Sequence, residues 1–206
     1  MRIELHEVSK GRDGQALPPT TLVFETGLAT LARAETEQRP TVLGLLAAGR
    51  MRPDSGSIEI DGLADAADIR RRVALVDAPD VSEPAPRVTV AGVTAEELMF
   101  AGRTAGHRAV RRWLRGQDLE QLARLPIANV PPRERIHLMT ELALLRAGVE
   151  GLVVVAPDRH GGHPLVWWEQ AQALAARGFA MLMIAGDASA TVIGAAQTAD
   201  DEEDRA

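Results

Sequence analysis

Hydrophobic and polar positions alternate at the start of the chain. Ile3 and Leu5, with Val8 beyond them, frame a strand over residues 2–8. Gly11 to Gly14 reads as a turn, Thr21 to Phe24 as a second strand and 28–33 as a third. After a polar loop from Ala34 to Pro40, the apolar run Thr41 to Ala48 predicts a short helix, with Gly49 suited to its C-terminal cap. Residues 57–60 read as a short strand and Asp61-Gly62 as a hairpin-type turn. Val73 to Val76 has strand length, whereas Ala78 to Arg87 carries three prolines and reads as a loop. Thr94 and Glu97 are spaced as a capping box opening a helix. Short helices are expected over 104–115 and 118–125. A stronger amphipathic helix is expected over 133–147, with Ile136, Met139, Ala143 and Ala147 on one face. Gly151 to Ala156 and Phe179 to Ala185 are apolar throughout, as strands buried on both faces are, and a helix from Pro164 to about Arg177 separates them.

Strands and hairpins, a strand–helix unit, a helical insert and a closing βαβ unit make an α/β mixed sheet flanked by helices. It has an N-terminal antiparallel β portion and a small helical lobe. The expected organisation is one domain over 1–190 with the lobe inserted at about 88–132. The acidic stretch 191–206 is expected to be a disordered tail.

Composition narrows the chemistry. Hydrophobic residues are 46% and charged residues 25%, ordinary for a globular chain able to bury a core. The net charge of −6, the aromatic content of 3% and the lack of tyrosine argue against nucleic acid as a partner. There is no cysteine, so thiol chemistry and cysteine-ligated zinc are excluded. Lys10 is the one lysine among 23 basic residues, which removes lysine-dependent mechanisms from the body of the chain. No apolar run reaches the length of a membrane span, and the first residues lack the apolar core of a secretory leader. The expected location is cytoplasmic.

Two groups of side chains invite attention. Asp158, His160 and His163 sit within six residues on a Gly-rich loop, as weak metal-ligand candidates; a flexible loop with His163 near a helix start is the plainer alternative. Trp167 and Trp168 are adjacent on a helix and point about 100° apart, so one is expected in the core, and the other is either an interface candidate or plain core packing. Trp113 lies among Arg108, Arg111, Arg112 and Arg115. It is either the inner anchor of a solvated basic face or part of a docking surface.

Several stretches resemble the ATP-binding cassette of ABC transporters, a P-loop NTPase-like fold, over roughly residues 2–190. They are Ile3 to Lys10, Leu43 to Gly49, Arg52 to Gly62, Arg70 to Val76 and Leu174 to Gly178. The resemblance implies a phosphate loop at Ala34 to Thr41, where only Thr41 matches the pattern and Pro40 stands in the lysine position. Glu35 and Glu37 bring carboxylates to that loop, which reads either as a plain turn before a helix or as a built-in anion at the helix start. The resemblance further places a metal-binding strand at Leu152 to Val155, followed here by Ala156 and Pro157. It places a signature loop at Ala128 to Pro132, after which Arg133 and Arg135 keep the family's basic spacing. Gly186 stands where the family has a switch histidine, Asp77 or Ala78 where it has a glutamine, and no aromatic lies near Arg12 for adenine. The implied protein is a non-hydrolysing cassette, structural or regulatory, beside an integral membrane permease or an active cassette, and it would lie at the inner face of the membrane. No cofactor is expected beyond ATP and magnesium, should the altered site retain them. A soluble interaction module, or a metal-dependent enzyme using Asp158, His160 and His163, are the alternatives.

Overall fold

The alternating start of the chain forms a strand because its apolar positions face one layer. In the computed structural model, which describes residues 1–36 and 38–203, Ile3, Leu5 and Val8 of β1 (Arg2–Lys10) are fully buried. Side chains are described through residue 198; Glu37 and residues 204–206 lie outside the described residues. β1 pairs antiparallel with β2 (Leu17–Glu25) and, on its other side, with β4 (Ser55–Ile60). β2 is an edge strand, which is why Pro18 and Pro19 are tolerated at its start. At the end of β4, Asp61 and Gly62 both take positive φ (50° and 80°) and bring Leu63 back to Ile60, as the hairpin-type turn requires.

The second sheet is parallel, in the order β3 (Ala29–Arg33), β7 (Ala180–Ala185), β6 (Gly151–Val155), β5 (Val73–Val76). It divides the core by strand alternation. Val153, Val155, Leu182 and Ile184 pack toward α1 (Arg39–Ala47) and the antiparallel sheet. Leu152, Val154, Met181 and Met183 pack toward α5 (Pro132–Ala143) and α6 (Pro164–Ala176). α1 lies between the two sheets, and five of its nine residues are buried. A Cβ on Gly44 would sit 2.6 Å from Val155 Cγ2, so this helix approaches β6 as closely as a backbone can. Gly49, at φ 66°, closes α1, with its amide and that of Arg50 reaching back to Leu46 and Leu45.

The lobe, between β5 and α5, holds α3 (Val90–Phe100), α4 (His107–Gly116) and two single turns of 3₁₀ helix. Four details depart from the expectations. A helix, α2 (Ala66–Arg72), precedes β5; Asp65 caps it by accepting from the amides of Ala67 and Asp68, and Ile69 is its one buried residue, too little for a periodic signal. The capping box at Thr94 does not form: the cap of α3 is Thr89, and the buried Thr94 hydroxyl donates to Val90 O. Residues 118–125 make only a 3₁₀ turn, and α5 ends at Ala143, leaving Ala147 exposed. Finally, much of the stretch read as a disordered tail belongs to α7 (Asp187–Glu203). Ala190 and Ile193 are buried and α7 packs on α6 and β3, so an alanine-rich segment gains the tertiary contact that composition does not reveal.

Candidate functional site

In open α/β sheets ligands bind beyond the carboxyl ends of the parallel strands. Here β3 ends at Arg33, and the loop 34–38 leads into α1. The Ala34 amide donates to Ala185 O, which ties the loop to the end of β7. Thr36 takes φ 99°, in the region glycine adopts freely. Gln38 caps α1 without a side-chain hydrogen bond, and Pro40 is its second residue, so one of the amides a helix start leaves open is absent. Thr41 follows, half-buried. Across the loop, Asp158 Oδ2 accepts from the Gly186 amide (2.9 Å) and the Ser189 hydroxyl (3.2 Å). A Cβ on Gly186 would lie 3.2 Å from Asp158 and 3.4 Å from Glu35 Oε1, so two carboxylates flank this part of the crest.

Beyond β5 and β6 the crest is closed by a charge network. Asp77 follows β5 directly, at φ 53°, and its carboxylate is 5% exposed. Arg135, on the first turns of α5 and equally buried, donates to it twice, Nε to Oδ2 at 2.9 Å and Nη2 to Oδ1 at 2.7 Å. Its remaining Nη1 donates to Ile127 O in the lobe. His160 Nε2 lies 2.9 Å from Oδ2, and Arg159 joins from 3.3 Å while also binding Glu83. Burial alone would raise the Asp77 pKa; hydrogen bonds from His160 and Arg135 and the charges of Arg135 and Arg159 outweigh it and hold the carboxyl below its ordinary range.

No family model matches the sequence, and no curated protein matches it. Solved structures do. One is an ATP-binding subunit of an ABC transporter, at 20% identity over 91% of this chain and 80% of that one, with a TM-score of 0.58. Another is a nucleotide-free ATP-binding cassette from an ABC transporter, at 15% identity over 91% and 82%, with a TM-score of 0.63. A third is the ADP conformation of an ATP-binding cassette of an ABC transporter, at 14% identity over 90% and 82%, with a TM-score of 0.63. The fold is that of an ATP-binding cassette.

On this cassette fold the residues singled out in the sequence separate. Thr41 lies on α1 at the crest. Asp158, His160 and His163 are not brought together as a metal centre: Asp158 turns to Gly186 and Ser189, His160 to Asp77, and His163 Nδ1 to the Leu165 amide as the cap of α6. Among the described residues no group of three His, Asp or Glu side chains is placed to hold a metal ion. Trp167 and Trp168 are both buried, at 1% and 4% exposure, as in the core-packing alternative, and neither is an exposed interface candidate. α6 is covered by the sheet, α5 and α7, so positions 100° apart both find core. Trp113 is half-buried and packs against the core under the lobe. The Asp77–Arg135 pair escaped the sequence reading, because 58 residues separate its members. So did Met99 and Phe100, 60% and 65% exposed at the end of α3. Among the described residues no helix is long and apolar enough to cross a membrane.

Proposed function

We propose that this chain is a cassette subunit that does not hydrolyse ATP and serves as a structural or regulatory partner of a membrane permease or of an active cassette, at the inner face of a membrane. The observation that carries the reading is the chemistry of the crest. A magnesium triphosphate asks for open amides, a cation and carboxylates free to hold metal through water. The residues present fit it poorly. Pro40 removes an amide and brings no charge, while Glu35 and Asp158 flank the Gly186 side of the crest. A carboxylate 4 Å from a phosphate charge costs about 4 kcal/mol at an effective dielectric of about 20. Ala156 and Pro157 follow β6 without a carboxylate, and Asp77 is already committed to Arg135 and His160.

Docking is the contribution left to such a subunit. Met99 and Phe100 offer apolar contact at the end of α3, and α4 brings Arg108 and Arg112 to the same lobe. The test is phosphate release and calorimetry on the full chain with ATP and magnesium, alongside affinity purification from membranes. The expected result is no magnesium-dependent hydrolysis, no nucleotide uptake and recovery with an integral membrane protein or a second cassette. Submicromolar, magnesium-dependent ATP binding would overturn the reading.

A further inference from the structure

β5 is the free edge of the parallel sheet, and a cavity of about 250 Å³ runs along it. Ala74, Leu75 and Val76 all line this cavity. Their side chains alternate between sheet faces, so three consecutive residues can share one cavity only from the strand's unpaired side. It extends from Asp77 at one end to Arg50, beside Val73, at the other, under Met139 and Leu142 of α5.

Its charges are unbalanced. Arg50 and Arg146 both line it, and among the described residues neither guanidinium forms an ion pair. Arg50 Nη1 is held by Ala48 O and Val73 O at 2.8 and 3.2 Å. Arg146 Nη2 is buried and has no hydrogen-bond partner among the described residues. Burial and the neighbouring charges of Arg146 and Arg70 push the Arg50 guanidinium below its usual pKa. Asp77, the carboxylate at the far end, is occupied by Arg135 and His160. Glu97 of α3 is the other carboxylate of the lining; burial raises its pKa and the charge of Arg146 opposes the rise. A buried guanidinium donor without an acceptor, as Arg146 Nη2 is, is costly, and an oxyanion supplies what it lacks.

We infer that this cavity binds a small oxyanion, a phosphate or carboxylate group, between Arg50 and Arg146 against the β5 edge. The volume suits an ion of a few heavy atoms, several times the ~30 Å³ share of a water molecule. The inference stands apart from the cassette's partner role and does not involve the crest.

The experiment is calorimetry and thermal unfolding of the full chain in inorganic phosphate or in acetate, each against chloride of matched ionic strength. Saturable binding with one site and a midpoint rising with ligand concentration is expected. A response to phosphate alone assigns a phosphoryl ligand, and a response to acetate alone assigns a carboxylate. Arg146→Gln should weaken binding by about tenfold or more, as loss of a charge-assisted hydrogen bond does. Glu97→Gln should tighten it, and Arg124→Gln, at an exposed position outside the cavity lining, should change nothing. Absence of any saturable response beyond chloride, or an equal response in Arg146→Gln, would overturn the inference. If Arg146→Gln does not fold, Glu97→Gln decides: affinity no higher than wild type refutes the site.

Discussion

The pair Asp77–Arg135 is the most exacting test of how this crest is held. Both side chains are about 5% exposed, two hydrogen bonds join them, and a third ties Arg135 to the lobe at Ile127 O. Arg135→Met keeps the apolar bulk but strands a buried carboxylate with only His160 and the more distant Arg159. Removing one member of a buried ion pair costs about 3–5 kcal/mol, a large part of the roughly 5–15 kcal/mol that holds a domain together. Asp77→Asn is the matching change, since asparagine tolerates the φ of 53° at that position and removes only the charge. The double variant should be less destabilised than the sum of the single ones, because neither uncompensated charge remains. Urea unfolding of the four proteins closes the cycle, with an expected coupling of more than about 1 kcal/mol. The pH dependence has a definite sign. The folded-state pKa of Asp77 lies below its unfolded value of about 3.9, so its contribution is complete above that pH and is lost as pH falls through the folded value. The gap between wild type and Asp77→Asn should therefore be constant near neutrality and close under acid. A coupling below about 0.5 kcal/mol, the size found for independent sites, would refute the argument.

Other consequences are simpler to measure. Gly44→Ala places a methyl 2.6 Å from Val155 Cγ2 and 3.1 Å from Leu75 Cδ1; overpacking of this kind should destabilise by about 1–3 kcal/mol in denaturant titration, despite the better helix propensity of alanine. Glu120, hydrogen-bonded by Arg115 and Arg111, has its carboxyl held down to about 2. Its contribution is present above the ordinary glutamate range and lost as pH falls through about 2, and the carboxyl-carbon NMR titration of Glu120 should show that low midpoint; in Arg115→Gln it should move upward.

Strand alternation, two fully apolar strands, turn residues at Asp61-Gly62 and Gly49, and the βαβ ending were legible in the chain, because each is a local pattern set by neighbouring residues. The resemblance also pointed to the loop at Ala34 to Thr41, which the structure places between β3 and α1. Elements decided by distant contacts were not legible. α2 exists by its Asp65 cap and one buried isoleucine, α7 by packing on α6 and β3, and the second buried tryptophan by helices on both sides of α6. The site's chemistry divides along the same line. That Pro40 and Thr41 would open a helix was written in order along the chain. Folding alone decided that Asp77 meets Arg135, that Asp158, His160 and His163 turn to three different partners, and that Arg50 and Arg146 share a cavity. The physical reason is range: hydrophobic periodicity and capping act over a few residues, whereas a charge network is set by whichever side chains the packed sheet and helices bring within hydrogen-bond distance.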